Sequence, residues 1–177
     1  LLARIEEPEP GNPFLVEHRG RRVSQDLCTS IHELYSILGP DLSTPMRAPA
    51  FAELGAGYGR LGYVLMKAVP GASYTVIDIP PALYLSQRYL TTLFPELPVF
   101  RFRPCATYGE VAQEFEGARL RFLAPHQVEL LPAKSFDYFI NISSLHEMTL
   151  PQVQNYFKVI DRLCRGQVLT KQWPVSR

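Results

Sequence analysis

The sequence predicts an α/β protein built on a doubly wound, mostly parallel sheet. Strand-like and helix-like segments alternate five times between Phe51 and Trp173, which is the pattern of such sheets. A glycine-rich turn joins the first of these strands to the helix that follows it, at the edge where sheets of this kind bind their ligands. The segment Phe136–Ile142 is an almost continuous apolar run, as expected for a strand buried on both faces.

Composition limits both the size of the core and the partners that we expect. With 177 residues, of which 46% are hydrophobic, the chain can bury one sizeable core. Its 18 basic and 17 acidic residues leave a formal net charge of +1, so we expect no electrostatic footprint for nucleic acid or an anionic membrane. No apolar run approaches the roughly 20 residues that a membrane-spanning helix needs.

The three cysteines are too widely separated to suggest a disulfide framework or a metal site. Cys28, Cys105 and Cys164 form no pair at the spacing of metal ligands. Free thiols are typical of a reducing compartment, so we expect a cytoplasmic protein. No metal ion is predicted from this pattern.

Residues 1–45 are predicted to form an N-terminal arm and one helix, ahead of a sheet domain over residues 46–177. Prolines, glutamates and the turn at 11–13 favour an extended, irregular segment over residues 1–20. We interpret the basic run His18–Arg22 as a solvated surface, and contact with an acidic substrate is the alternative. Ser24 suits the N-cap of a helix whose apolar stripe ends before Gly39.

The turn over residues 55–59 is the first candidate for ligand binding. Glycines here allow positive φ angles and a close approach of the backbone to a ligand. A dinucleotide-binding turn would require a small residue at position 60, where this chain has Arg60, and this disfavours a nicotinamide cofactor. Glu53, at the end of the preceding strand, adds a carboxylate. A turn with a purely structural role is the alternative.

A second carboxylate follows the next strand, Tyr74–Ile77. Asp78 lies nineteen residues beyond Gly59, the separation that one crossover helix requires. We expect it to accept hydrogen bonds from two vicinal ribose hydroxyls, with Ile79 providing an apolar surface for adenine. The alternative is that Asp78 only caps the helix that begins near Pro80.

The remaining elements bring further polar residues to the same edge of the sheet. Val99–Phe102 is a short strand or an extended loop, residues 107–115 form an additional helix, and Arg119–Leu123 is the third strand, so we expect an insertion here. After the strand Phe136–Ile142, Thr149 and Gln152 form the capping box of a helix that ends at Gly166. Residues 168–173 are the fifth strand.

Two segments of this pattern resemble the class I S-adenosylmethionine-dependent methyltransferases. The segment ELGAGYGR at 53–60 resembles their first motif, in which the acid lies near the methionyl amino group and the glycine turn passes along the methionine and ribose. This implies that the cofactor contacts Glu53, Gly55, Ala56, Gly57, Tyr58 and Gly59. The segment PHQVELLP at 125–132 resembles the part that reads adenine, with Gln127 in the place of an acid and Val128 in that of a small residue.

Taken together, six segments resemble the sugar O-methyltransferase family of bacterial polysaccharide and glycoside clusters. They are GNP at 11–13, SQDL at 24–27, ELGAGYGR at 53–60, VIDIPP at 76–81, PHQVELLP at 125–132 and FDYFINISSLHEM at 136–148. The resemblance implies S-adenosylmethionine as cofactor and a sugar or glycoside hydroxyl as acceptor. It also implies two further strands, so we expect a chain truncated after its fifth strand, with an exposed sheet edge through which a homo-oligomer could form.

The loop 143–147 is expected to hold the catalytic group. A sugar hydroxyl is a poor nucleophile at neutral pH and needs a general base, which is most often histidine. We assign that role to His146, with Glu147 orienting it or supporting a divalent metal, and we place Ser143 next to the cofactor. His126 is a second candidate base, and His146 and Glu147 could instead stabilise the following helix. A cofactor-binding module without catalysis and a nicotinamide-dependent oxidoreductase are the alternative functions.

Overall fold

The computed structural model describes residues 1–42 and 48–172. These residues form eight strands and five α-helices. The strands are β1 (Leu15–His18), β2 (Arg21–Ser24), β3 (Ala50–Leu54), β4 (Ser73–Ile77), β5 (Val99–Phe100), β6 (Leu120–Leu123), β7 (Phe136–Ile142) and β8 (Cys164–Lys171). The α-helices are α1 (Gln25–Leu38), α2 (Arg60–Ala68), α3 (Pro80–Leu93), α4 (Ala112–Gly117) and α5 (Leu150–Leu163). Short 3-10 helices are formed by Tyr108–Glu110, Pro125–Leu130 and Leu145–Glu147.

Six strands form one sheet in the order β5-β6-β4-β3-β7-β8, and all neighbouring pairs are parallel. The chain moves outward from β3 to β4 and β6 and then returns to the other side of β3 with β7, so the strand order reverses between β3 and β7. The predicted doubly wound sheet is therefore confirmed. β5 decides between the two alternatives for Val99–Phe102, because its two residues pair with β6 as an edge strand.

Alternate residues of the central strands face two different layers of helices. Phe51 and Ile140 belong to a core cluster with side chains of α1, α2 and α3. Ala52 and Phe139 belong to a second cluster with side chains of α4 and α5. Glu53 has the same parity as Phe51 in β3, and its side chain therefore points toward the α1–α3 layer.

The N-terminal arm is more regular than predicted. β1 and β2 form an antiparallel hairpin closed by Arg19 and Gly20, which have φ angles of 52° and 73°. The prediction of an irregular segment over residues 1–20 is therefore wrong at 15–18. Hairpins with two positive-φ turn residues are usually signalled by Asn-Gly or Asp-Gly, and Arg-Gly is not such a signal. The run His18–Arg22 is largely exposed, as expected.

Hydrogen bonds hold the first residues of the arm against α2 and β2. The hydroxyl of Tyr63 donates to the carbonyl oxygen of Glu6 at 2.8 Å, and the guanidinium of Arg21 donates to that of Ile5 at 3.0 Å. The Ile5 side chain is buried in the core cluster. The boundary predicted between residues 45 and 46 lies outside the described residues, and the division into two domains stays a prediction.

The helix caps are confirmed, whereas the role predicted for Gly166 is wrong. Ser24 Oγ accepts a hydrogen bond from Leu27 N at 2.9 Å, and Gln152 Oε1 accepts one from Thr149 N at 2.8 Å. Gly166 does not end α5 but lies within β8, where a Cβ atom would be 2.2 Å from the carbonyl oxygen of Asp137. This position requires glycine because the two strands approach too closely there for a side chain.

β8 forms one edge of the sheet and begins earlier than predicted, at Cys164 instead of residue 168. The last predicted strand residue, Trp173, lies outside the described residues. Among the residues of the six-stranded sheet, none pairs with the outer side of β8. Association through this edge stays a prediction. None of the helices in the described ranges is long and apolar enough to cross a membrane.

Candidate functional site

The glycine turn adopts backbone angles that favour glycine at all three positions. The φ angles of Gly55, Gly57 and Gly59 are 76°, 57° and 92°. A Cβ atom on Gly55 would lie 2.4 Å from the side chain of Ser144, so this position must also lack a side chain for steric reasons. A Cβ atom on Gly57 would meet nothing within 4 Å. The turn therefore packs against the protein at Gly55 and is open to a ligand at Gly57.

Asp78 lies directly beside this turn. Its Oδ2 accepts a hydrogen bond from Gly57 N at 2.8 Å, and its Oδ1 accepts one from Ile79 N at 2.7 Å. The bond to Ile79 N, at the N-cap residue of α3, is also what the alternative of a helix-capping Asp78 requires, so the ribose contact stays a prediction. Burial raises the pKa of Asp78, the two N–H donors oppose this rise, and the charge of Glu147 adds to it. The structure thus brings together the glycine turn and Asp78, which the sequence predicted to lie at the same site.

The residues predicted to contact adenine fall into two groups. Ile79 is 59% exposed and offers an apolar surface next to Asp78. Val128 and Gln127 are buried, and the Gln127 side chain accepts from Ala124 N at 2.9 Å and donates to the carbonyl oxygen of Arg103 at 2.8 Å. The adenine contact of Gln127 stays a prediction, and the amide would have to leave these internal bonds to donate or accept elsewhere.

Glu53 is buried at the end of β3. The residue is only 4% exposed, and its carboxyl group accepts a hydrogen bond from the Tyr74 hydroxyl. Burial raises the pKa of Glu53 from 4.5 to about 7, while the Tyr74 bond and the charge of Arg60 limit that rise. At neutral pH both protonation states are therefore populated. The predicted contact with an ammonium group stays a prediction, and it requires the ionised form.

We expect Glu53→Gln to remove a pH dependence of stability. Between pH 4.5 and about 7 the native carboxyl holds a proton that the unfolded chain has released. The free energy of unfolding therefore falls as pH rises through this window, by roughly 3 kcal/mol in total. Glutamine has nearly the same shape but does not ionise, so the variant should not show this fall in the free energy of unfolding. Urea unfolding should thus show the variant gaining roughly 3 kcal/mol relative to wild type between pH 4 and pH 8, and an unchanged difference would contradict the burial argument.

The loop after β7 is tied to the neighbouring strands by side-chain amides. Asn141 Nδ2 donates to the carbonyl oxygen of Leu54 at 2.9 Å, and Ser144 Oγ donates to the same oxygen at 3.1 Å. Gln172 Nε2 donates to Asn141 Oδ1 at 2.6 Å. This network joins the carboxyl ends of β3, β7 and β8. Ser143, with φ 54°, is held by a bond from its N–H to Lys171 O at 2.8 Å.

His146 lies on the 3-10 helix at 145–147, at the end of this network. Its imidazole is 25% exposed, and its Nδ1 is 3.5 Å from Oε1 of Gln172. The Glu147 carboxylate is 74% exposed and 4.0 Å from Nε2, which exceeds a hydrogen-bond distance. Gln172 is therefore nearer to the ring than Glu147 in this structure. The catalytic roles of His146 and Glu147 stay predictions.

The structure also explains why an arginine replaces the third glycine of a dinucleotide-binding turn. Arg60 NH1 and NH2 donate to the two carboxylate oxygens of Glu33 at 2.7 and 3.0 Å. Lys171 Nζ is 3.0 Å from the same carboxylate, and Ser30 Oγ accepts from Arg60 NH1 at 2.8 Å. Arg60 thus joins the glycine turn to α1. Tyr58 adds a second link through its hydroxyl, which donates to the Asp26 carboxylate at 2.6 Å.

Several of these residues were not found from the sequence. Asn141 and Ser144 lie within the segment 136–148 but were given no role there, and Gln172 belongs to none of the motifs. Glu33 lies on the apolar side of an otherwise ordinary amphipathic helix, where a buried carboxylate is a signal that could have been used. Within the described ranges, no group of three or more His, Cys, Asp and Glu side chains could hold a metal ion.

Comparison with known proteins defines the fold and leaves the finer family open. The sequence matches no protein-family model and no curated protein. The structure is similar to the PH0226 protein from Pyrococcus horikoshii OT3, with a TM-score of 0.53 and 17% identity over 79% of this chain and 57% of that chain. It is also similar to the mitomycin 7-O-methyltransferase MmcR, with a TM-score of 0.55 and 18% identity over 87% of this chain and 38% of that chain.

A third similar structure is a SAM-dependent methyltransferase from Aquifex aeolicus. Its TM-score is 0.54 at 12% identity, covering 86% of this chain and 66% of that chain. The chain spans between 38% and 66% of the lengths of these three proteins. The chain has the Rossmann-like fold of the class I methyltransferases, as predicted.

Proposed function

We propose that this chain binds S-adenosylmethionine and transfers its methyl group to a hydroxyl of a sugar or glycoside. The fold is one that solved methyltransferases use. At the carboxyl edge of its sheet, a glycine turn lies between two buried carboxyl groups, Glu53 and Asp78. The choice of a sugar acceptor comes from the resemblance of six sequence segments to sugar O-methyltransferases.

The residues at the turn fit this cofactor. The open space at Gly57 allows a ligand to approach the backbone. Each Asp78 oxygen accepts one N–H bond and retains a lone pair that can accept a ribose hydroxyl. Ile79 provides the exposed apolar surface that a base requires, and ionised Glu53 would balance the methionyl ammonium. When bound, S-adenosylmethionine supplies an electrophilic methyl group that needs no further activation.

The protein itself must orient the acceptor and remove its proton. A hydroxyl held next to a neutral imidazole can lose its proton to a ring nitrogen as the new O–C bond forms. His146 is the histidine nearest to the end of β7, where the sheet order reverses and ligands of such sheets bind. Gln172 lies within 3.5 Å of Nδ1, which leaves Nε2 as the nitrogen that would take the proton.

The bond between Gly57 N and Asp78 Oδ2 is the observation that carries this proposal, because it places the carboxylate against the turn. We expect Asp78→Ala to weaken the binding of S-adenosylhomocysteine at least tenfold, about 1.4 kcal/mol, in isothermal titration calorimetry. Asp161→Ala, which removes an exposed carboxylate of α5, is the matched control and should bind like wild type.

Two further measurements make this result decisive. Asp78→Asn keeps the shape of the side chain but replaces one acceptor oxygen by an NH2 group, which would face the N–H of Gly57 or of Ile79. It should therefore also lose affinity and unfold at a lower midpoint than wild type, while its circular dichroism shows an unchanged fold. NAD should not bind, because Arg60 and Glu33 fill the place of the third glycine. Equal affinities of wild type and both Asp78 variants would remove Asp78 from the site, and tight NAD binding would favour an oxidoreductase.

A further inference from the structure

A cavity of about 510 Å³ adjoins the glycine turn on the side of the N-terminal arm. It lies between the arm, the start of α1, Tyr58 of the turn and one face of α3, and we call it the arm pocket. Its volume is in the range of small-molecule sites. The cofactor and mechanism proposed above assign no role to this cavity, although Tyr58 forms part of its wall.

The walls of the arm pocket are largely apolar and aromatic. The residues that form these walls are Pro8, Pro10, Pro13, Tyr58, Leu85 and Tyr89. The two tyrosine rings meet edge to face, with centroids 5.1 Å apart. Phe14 is 89% exposed and directly follows Pro13, so the apolar surface continues past the rim. Such walls suit the apolar faces of a ring.

Three charged side chains line the same cavity and retain unused hydrogen-bonding groups. Glu7 Oε2 accepts from Ser24 N at 2.6 Å, and Asp26 Oδ2 accepts from the Tyr58 hydroxyl at 2.6 Å. Within the described ranges, the second oxygen of each carboxylate and the guanidinium of Arg88 make no hydrogen bond or ion pair. The pocket therefore offers two acceptor oxygens and the N–H donors of one guanidinium to a ligand.

We propose that the arm pocket binds the sugar ring of a glycoside, which is the acceptor class of the methyl transfer proposed above and on which this inference rests. A sugar hydroxyl both donates and accepts, so it can bond to a carboxylate and to Arg88 at once. A phosphate would be repelled by Glu7 and Asp26. A neutral polyol can form hydrogen bonds to the charged groups through its hydroxyls and can pack its apolar C–H faces against the walls.

The pocket is also built on fixed elements. The arm is held at Glu6 by Tyr63 and at Ile5 by Arg21, immediately before the first lining residue. Glu7 itself bonds to the N-cap residue of α1. Leu85, Arg88 and Tyr89 are spaced at i, i+3 and i+4 on one face of α3. A ligand would therefore bind without first ordering the walls.

The test uses three probes, 4-nitrophenyl β-D-glucopyranoside, 4-nitrophenyl β-D-galactopyranoside and 4-nitrophenyl phosphate, titrated into the whole chain by saturation-transfer NMR. At least one glycoside should bind with a Kd of about 1 mM or below. Arg88→Ala should weaken that binding about fivefold through one lost hydrogen bond, and Thr92→Trp should abolish it by filling the cavity. Arg101→Ala, an exposed arginine outside the pocket, is the matched control.

The outcomes separate this inference from the proposed function. S-adenosylhomocysteine should bind Arg88→Ala and Thr92→Trp as it binds wild type. If wild type binds S-adenosylhomocysteine but neither glycoside, the arm pocket is not a sugar site. The same conclusion follows if both variants bind the glycosides as wild type does. Stronger binding of 4-nitrophenyl phosphate than of the glycosides would also overturn it. Glycoside binding that the variants lose, in a chain that fails to bind S-adenosylhomocysteine, would keep the sugar site and remove the methyl transfer.

Discussion

Replacing Glu33 by alanine is expected to lower the free energy of unfolding by about 3 kcal/mol. The carboxylate is 2% exposed and receives two hydrogen bonds from Arg60, at 2.7 and 3.0 Å. Without it, the guanidinium is left 24% exposed and unpaired among buried groups of α1 and α2. Because one charge still reaches some solvent, we take the lower end of the range for a broken buried pair. The midpoint of thermal unfolding should fall by roughly 6 to 12 °C.

Two controls show whether the lost stability comes from leaving the Arg60 charge unpaired or only from losing a side-chain contact. Glu129→Ala removes an exposed glutamate and should change stability by less than about 0.5 kcal/mol. The double variant Glu33→Leu with Arg60→Met replaces both charges by apolar groups and should recover most of the loss, since Lys171 is 51% exposed and can be hydrated by water. Urea unfolding measures all three variants. A loss below about 1 kcal/mol in Glu33→Ala would mean that water replaces the carboxylate.

This ion pair marks the limit of what periodicity and motifs can predict. The alternation of strands and helices, the glycine turn and the two caps at Ser24 and Thr149 depend on residues close in sequence, and they were predicted correctly. Arg60 was interpreted only as an obstacle to a dinucleotide. Its partner lies twenty-seven residues earlier on another helix, and only the packed structure brings the two together.

The errors at the two ends of the chain have different causes. Gly166 looks like a helix terminator in sequence, but its reason is the carbonyl oxygen of Asp137 on the neighbouring strand. The hairpin at 15–24 lacks the usual turn residues and pairs only two four-residue strands. The contact that requires Gly166 is made with a distant strand, whereas the hairpin is local and was missed because its turn lacks the usual residues. Local sequence therefore favoured the wrong element.

In the candidate site, too, residues within one local pattern were predicted, whereas contacts between distant segments were not. Glu53, the glycine turn and Asp78 were predicted from one local pattern, and the structure places Asp78 against the turn. Gln127 was assigned by its position in a motif, whereas its amide is used inside the protein. The Asn141–Gln172 network that supports the loop after β7 joins the ends of three strands, and no single segment of the sequence contains it.

The largest functional effect is expected for His146→Ala. A general base contributes roughly 100- to 10,000-fold to the rate, so kcat for methyl transfer to a glycoside that binds the arm pocket should fall by that factor. The measurement is the release of S-adenosylhomocysteine at saturating cofactor. Affinity for S-adenosylhomocysteine should change less than twofold, because no hydrogen bond or ion pair joins the ring to the glycine turn within the described ranges. A loss confined to kcat is what a base requires.

His126→Ala is the matched control, since His126 is exposed and was the second candidate base. It should retain kcat within about threefold, and Gln172→Ala should fall between the two variants because Gln172 only positions the imidazole through Nδ1. If His146→Ala keeps its kcat while His126→Ala loses it, the base lies after β6 instead of after β7. If KM rises and kcat is unchanged, His146 binds the acceptor without taking its proton.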